Sequence, residues 1–146
     1  MKGDWGDKKN KGDGWYNTNM SLTDRIRYWK SSAARDRITA QTLYRSGDYH
    51  WSLFFWHLVL EKLIKAIILN QNKELIYSHN IYSLLLHAGM SVSPKQAKEL
   101  KEITSFNLEA RYDDEKYSFY KKATKIYTDT WIKICNMYAD DWEKLV

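Results

Sequence analysis

From Ser21 onward, apolar residues recur at the spacings of a helix. Leu22, Ile26, Trp29, Ala33, Ala40 and Leu43 follow one another at intervals near three, four and seven, the period of an amphipathic α-helix. Ser21 or Thr23 suits its N-cap, Asp24 the positive end of its dipole, and Gly47 its left-handed stop. Asp48 then reads as the cap of a second helix from Tyr49 to about Asn70. Its sequence, YHWSLFFWHLVLEKLIKAIIL, is apolar nearly all round and predicts the centre of a bundle. His57, Glu61, Lys62 and Lys65 interrupt it, so a core helix is expected rather than a membrane span. After a polar loop from Asn70 to Ser78, a short helix opens near His79 (HNIYSLLLHAG) and closes at Gly89. Ser93-Pro94 pairs a cap with a first-turn proline and starts a fourth helix through KQAKELKEITSF. The stretch NLEARYDDE breaks the rhythm and reads as a loop. A last helix is expected from about Lys116 to Trp142, with a seam of Tyr117, Tyr120, Thr124, Tyr127, Trp131, Ile134, Tyr138 and Trp142.

Composition narrows this pattern to a fold class. Four of the six glycines (Gly3, Gly6, Gly12, Gly14) fall in the first fourteen residues, leaving only Gly47, Gly89 and Pro94 for the rest. A β-rich domain needs more turn residues than that. The expectation is therefore all-α: an up-and-down bundle of four to five helices over residues 21–146, with residues 1–20 as a mobile leader. The 146 residues suffice for one domain with a core. The single cysteine, Cys135, excludes an intramolecular disulfide framework and a cysteine-based zinc cluster; beside the last seam it reads as a packed small hydrophobe. The leader offers no apolar stretch for a signal peptide, which makes a cytoplasmic protein the expectation.

Charge permits a polyanionic partner without demanding one. Lys and Arg number 23 against 18 Asp and Glu, a net +5. Six basic and two acidic residues put +4 of formal charge on the segment 21–47, a run that is ordinarily a solvated face. No GxGxxG, phosphate loop or HExxH is present. His50 and His57 share a helix, but seven residues is about 10.5 Å of rise, too far for joint ligation. His79 and His87 have no carboxylate at the required spacing, and no metal or cofactor is expected.

Three features carry candidate chemistry. Glu61-Lys62 and Lys65 sit inside the most apolar helix, where charges cost free energy unless paired or solvated. Arg111-Tyr112-Asp113-Asp114 gathers a guanidinium, a phenol and two carboxylates before the last helix. His79 opens a helix where backbone N–H groups can face an anion. A structural reading stands beside each: Glu61 with Arg111 as a buried ion pair, His79 as an ordinary helix-start residue, and the Tyr/Trp seam as core or dimer interface.

In this order, the features resemble the HEPN domain: a basic first helix, a Gly-Asp-Tyr turn (Gly47 to Tyr49), Glu61-Lys62 and Lys65-Ala66 in the apolar helix, His79-Asn80, and Arg111-Tyr112 followed by Asp113. The resemblance spans Ile26 to Trp142. It implies a helical bundle, generally a homodimer through its two long N-terminal helices, and often a partner of a minimal nucleotidyltransferase in toxin–antitoxin or stress-response pairs. It also implies a nucleotide or RNA ligand, which places Glu61, Lys65, His79, Arg111, Tyr112 and Asp113 in a binding site. The family's ribonuclease branches carry a histidine a few residues after the arginine. Here Lys116 stands at the nearest such position, and no histidine follows Arg111 before the last helix. Arg45 and His50 match the spacing but lie in the first interhelical turn. The leading expectation is an accessory binding module with no catalytic residue assigned. Its alternatives are a divergent ribonuclease using Arg111 and a purely structural dimerisation module.

Overall fold

The computed structural model describes residues 20–146, so the expected leader lies outside the described residues except for Met20. Among the described residues all regular structure is helical: α1 (Leu22–Arg45), α2 (Tyr49–Asn70), α3 (Ile81–His87), α4 (Pro94–Glu109), α5 (Ser118–Lys122) and α6 (Lys125–Glu143). Helix α2 is the hub. Helices α1, α3, α4, α5 and α6 all pack on it, and Leu53, Trp56, Leu60, Ile64 and Ile68 along its length are 0–1% exposed. Cys135 is fully buried, and that burial pushes its thiol above the usual range.

Local chemistry sets the helix ends. The Ser21 hydroxyl accepts from the Asp24 amide at 3.1 Å and Asp24 pairs with Arg27 at 3.3 Å, an ordinary start for α1. Gly47, at φ +78°, lets the chain reverse while the Asp48 N–H reaches back to the Leu43 carbonyl. Asp48 follows as the N-cap of α2, but its side chain makes no capping bond; only its carbonyl is used, accepting from Ser52. Ser93 and Gln96 bond each other reciprocally around Pro94, the expected capping box.

The expectations for the second half need two corrections. Helix α4 runs on to Glu109, so Asn107, Leu108 and Glu109, read as loop, are helical. The long last helix is two helices: α5 ends at Lys122 and Thr124 caps a fresh start, its hydroxyl accepting from Tyr127 at 3.2 Å. The aromatic rhythm had run straight across the break. Tyr117 and Tyr120 are accordingly not in the seam but 64% and 60% exposed, while Phe119 between them is buried. No helix of the described residues is long and apolar enough to cross a membrane.

Candidate nucleotide or RNA site

Phe54, His57, Glu61 and Lys65 recur on α2 at intervals of three and four, which sets them in one stripe along the helix. Glu61 is its buried centre. Its Oε1 receives Lys65 Nζ at 3.1 Å and His79 Nδ1 at 3.0 Å, with the carboxylate side chain only 5% exposed. Lys65 also lies 4.7 Å from the Trp29 ring centre, a cation over an aromatic face. The charges inside the apolar helix are thus paired. Lys62 is held likewise, 2.5 Å from Asp36 and 2.7 Å from Ser32 Oγ.

His79 is tied twice. Its ring bonds Glu61, and its carbonyl lies 3.0 Å from His57 Nε2. A carbonyl only accepts, so His57 carries its proton on Nε2. Burial pushes the His57 imidazole below the usual histidine range, with the Glu61 charge opposing. His57 Nδ1 and Glu61 Oε2 are buried without a hydrogen-bond partner, although Oε2 lies 3.6 Å from His57 Nε2. The expected anion cradle at the start of α3 is already filled from within: Thr104 Oγ1 accepts from the Ile81 amide and Asn80 Oδ1 from the Ser83 amide.

Arg111 sits at the other end of the stripe, and it is not Glu61's ion-pair partner. Its Nε donates to the Asn107 carbonyl at 2.8 Å, and its guanidinium carbon lies 5.7 Å from the Phe54 ring centre and 5.2 Å from that of Tyr112. The terminal nitrogens bond no described residue. Rings continue outward from Phe54: Trp51 at 5.9 Å, then His50 at 5.3 Å, then Tyr120 at 5.3 Å from His50. These rings form one aromatic band, and Arg111 lies at its Phe54 end beside Tyr112, which is 69% exposed.

Asp113 is turned away to a structural task. Its carboxylate accepts from the backbone N–H groups of Phe119 and Tyr120, both at 3.0 Å, and of Asp114. Partial desolvation pushes this carboxyl up, but those three bonds outweigh it and hold it below the ordinary range. Asp114 likewise accepts from Lys116, from the Ser118 amide and from the Ser118 hydroxyl. The two carboxylates cap α5.

Sequence reasoning named Glu61, Lys65, His79, Arg111 and Tyr112 but missed Phe54, His57 and His50. The signal for Phe54 and His57 was their helical register with Glu61. The local signal at His50 is its spacing from Arg45, in the first interhelical turn, and Tyr120 and Asp113 reach it only through the fold.

A family model described as HEPN domain matches residues 26–140. No curated protein and no solved structure matches the chain significantly.

Proposed function

The chain belongs to the HEPN domain family, and on that footing we propose that it is an accessory module that binds a nucleotide or RNA along the Arg111 band. In this reading it acts as a homodimer beside a nucleotidyltransferase partner in a toxin–antitoxin or stress-response pair. The observation that carries the reading is the unpartnered guanidinium fork of Arg111 set between Phe54 and Tyr112. A planar cation with free N–H groups recognises phosphate oxygens in pairs, and the exposed Tyr112 beside it can stack a base without reading its identity. Glu61, Lys65 and His79 stiffen the stripe on which Phe54 stands, and Asp113 fixes the turn that presents Tyr112 and Arg111.

Fluorescence anisotropy with short single-stranded RNAs and with nucleotides tests this. Binding is expected to weaken as salt rises, and Arg111→Ala is expected to reduce it about tenfold or more with little loss of fold stability. Unchanged affinity in Arg111→Ala would refute the site. Light scattering at tens of micromolar checks the dimer, and a monomer would count against it.

One observation favours the ribonuclease alternative. His50 lies in the same aromatic band as Arg111, and burial pushes its imidazole below the usual range against the pull of Asp113 and Asp48. That shift favours the neutral imidazole, the form that can accept a proton. Metal-independent RNA cleavage that is lost in both Arg111→Ala and His50→Ala would establish that alternative; binding without cleavage keeps the accessory reading.

A further inference from the structure

A second concave site lies across α2 from the Arg111 band. Helices α1 and α6 both pack on α2, yet they scarcely pack on each other; polar side chains span the gap between them. At one end the Tyr44 hydroxyl donates to Asp129, which also receives Lys125 Nζ at 2.8 Å. At the other, Arg37 reaches Asn136 at 2.7 Å and Asp140 and Glu143 at 2.9 Å. Between these two clamps a cavity of about 530 Å³ remains, lined by Gln41, Tyr44, Arg45, Trp56, Lys133 and Asn136 among others. That volume is within the range of small-molecule sites.

The polar groups lining it are unequal. Asp129 is the carboxylate in the lining, and its charge is already met by Lys125 and Tyr44, which together hold the carboxyl below its ordinary range. The Arg37 end carries two carboxylates against one guanidinium and repels anions. Arg45, Lys133 and Gln41 have no partner among the described residues. Their charges point to an anion at the Arg45 end, while half-buried Tyr44 and Ile132 and the aliphatic stems of the long side chains form walls for the rest of the molecule, over a floor of buried Trp56 whose ring lies 5.5 Å from the Arg37 guanidinium. We propose that the α1–α6 cleft binds a small aromatic molecule carrying one anionic group, with the anion held by Arg45 and Lys133. This site is independent of the Arg111 band: on α2, Trp56 lies about 200° around the helix from Phe54.

An NMR titration of the ¹⁵N-labelled full chain with phenyl phosphate, benzoate, inorganic phosphate and benzylamine tests the proposal. Saturable shifts centred on Trp56, Ile132 and Asn136 are expected with phenyl phosphate or benzoate, and the tighter of the two identifies a phosphoryl or a carboxylate ligand. Inorganic phosphate is expected to bind far more weakly, and benzylamine not at all. Arg45→Gln with Lys133→Gln is expected to weaken binding about tenfold or more, while Arg111→Ala leaves it unchanged. The spectra report the fold of each variant, and the single Lys133→Gln variant serves should the double one unfold. The proposal fails if no saturable shift reaches Trp56 by about 10 mM ligand, if benzylamine binds as well as benzoate, or if the variants lacking the cations retain full affinity. Shifts that localise to Tyr112 and Phe54 instead also refute it, and they would place the anion on the Arg111 band.

Discussion

Glu61→Gln isolates the central charge of the α2 stripe. Glutamine keeps the volume and one acceptor for His79 but removes the counter-charge of Lys65, whose side chain is only 13% exposed. Losing one partner of a buried pair costs about 3–5 kcal/mol, because the other charge stays desolvated. Two features lower that figure here. His79 is half-exposed and finds water, and the lysine stem is long enough to carry its ammonium outward. About 2–3 kcal/mol is the expected loss. With a slope of about 1.5–2 kcal/mol/M, the urea midpoint should fall by about 1–2 M, read by far-UV circular dichroism. Adding Lys65→Met to Glu61→Gln should then recover part of the loss, since no unpaired charge remains. Two results would refute this account: a Glu61→Gln midpoint indistinguishable from that of the parent, or Lys65→Met costing as much in the Glu61→Gln background as alone. Either outcome would mean that the carboxylate is not what keeps Lys65 in the interior.

Three further outcomes follow from other sites. Because burial holds His57 below the usual histidine range, the unfolded chain takes up a proton that the folded chain refuses as pH falls through about 6.5; stability is full above that value and is lost below it. His57→Gln, which keeps an N–H for the His79 carbonyl, should flatten the urea-midpoint slope between about pH 5 and 7; His50 has the same sign and leaves a residual slope, and the lowered carboxyls act only below about pH 4. A slope unchanged in His57→Gln would contradict the assignment. Asp113→Ala should speed hydrogen exchange at the Phe119 and Tyr120 amides while leaving α2 protected, and equal protection there would show that Asp114 alone suffices. Gly47→Ala meets open space but must hold φ +78°, so it should lose about 1 kcal/mol with no change in packing.

The first half of the fold was legible because its signals are local. Ser21, Gly47, Ser93-Pro94 and Gly89 each act within a few residues, and each stands at or beside the helix end expected of it. Asp48 shows the limit of that reasoning, since the right residue type at the right place leaves its side chain unused. The last predicted helix failed for a related reason. A spacing of three and four continues unbroken from Tyr117 to Tyr127, yet Asp113 and Asp114 fold back to cap α5 and Thr124 caps α6. Periodicity reports which residues would share a face if the helix were continuous. It does not report where side chains compete for backbone N–H groups.

For the candidate site, charge was legible and partnership was not. Ionisable groups inside YHWSLFFWHLVLEKLIKAIIL demand partners on energetic grounds alone, so Glu61 and Lys65 announced themselves. Which partner each takes depends on the loop after α2, and the charges alone did not decide that His79 rather than Arg111 would meet Glu61. For the proposed binding site, that exchange decides whether Arg111 is available. Had Glu61 neutralised Arg111, the guanidinium would be a structural strut with no capacity left for a phosphate. With the Glu61 charge paired to Lys65 and His79 through Oε1, and Asp113 spent on α5, neither of these carboxylates meets the terminal nitrogens of Arg111. The pairing inside α2 therefore leaves the cation on its rim free, and a mutation that releases the Glu61 carboxylate, such as Lys65→Met with His79→Ala, should weaken RNA binding without touching the Arg111 band. Unaltered affinity in that variant would separate the buried cluster from the binding surface.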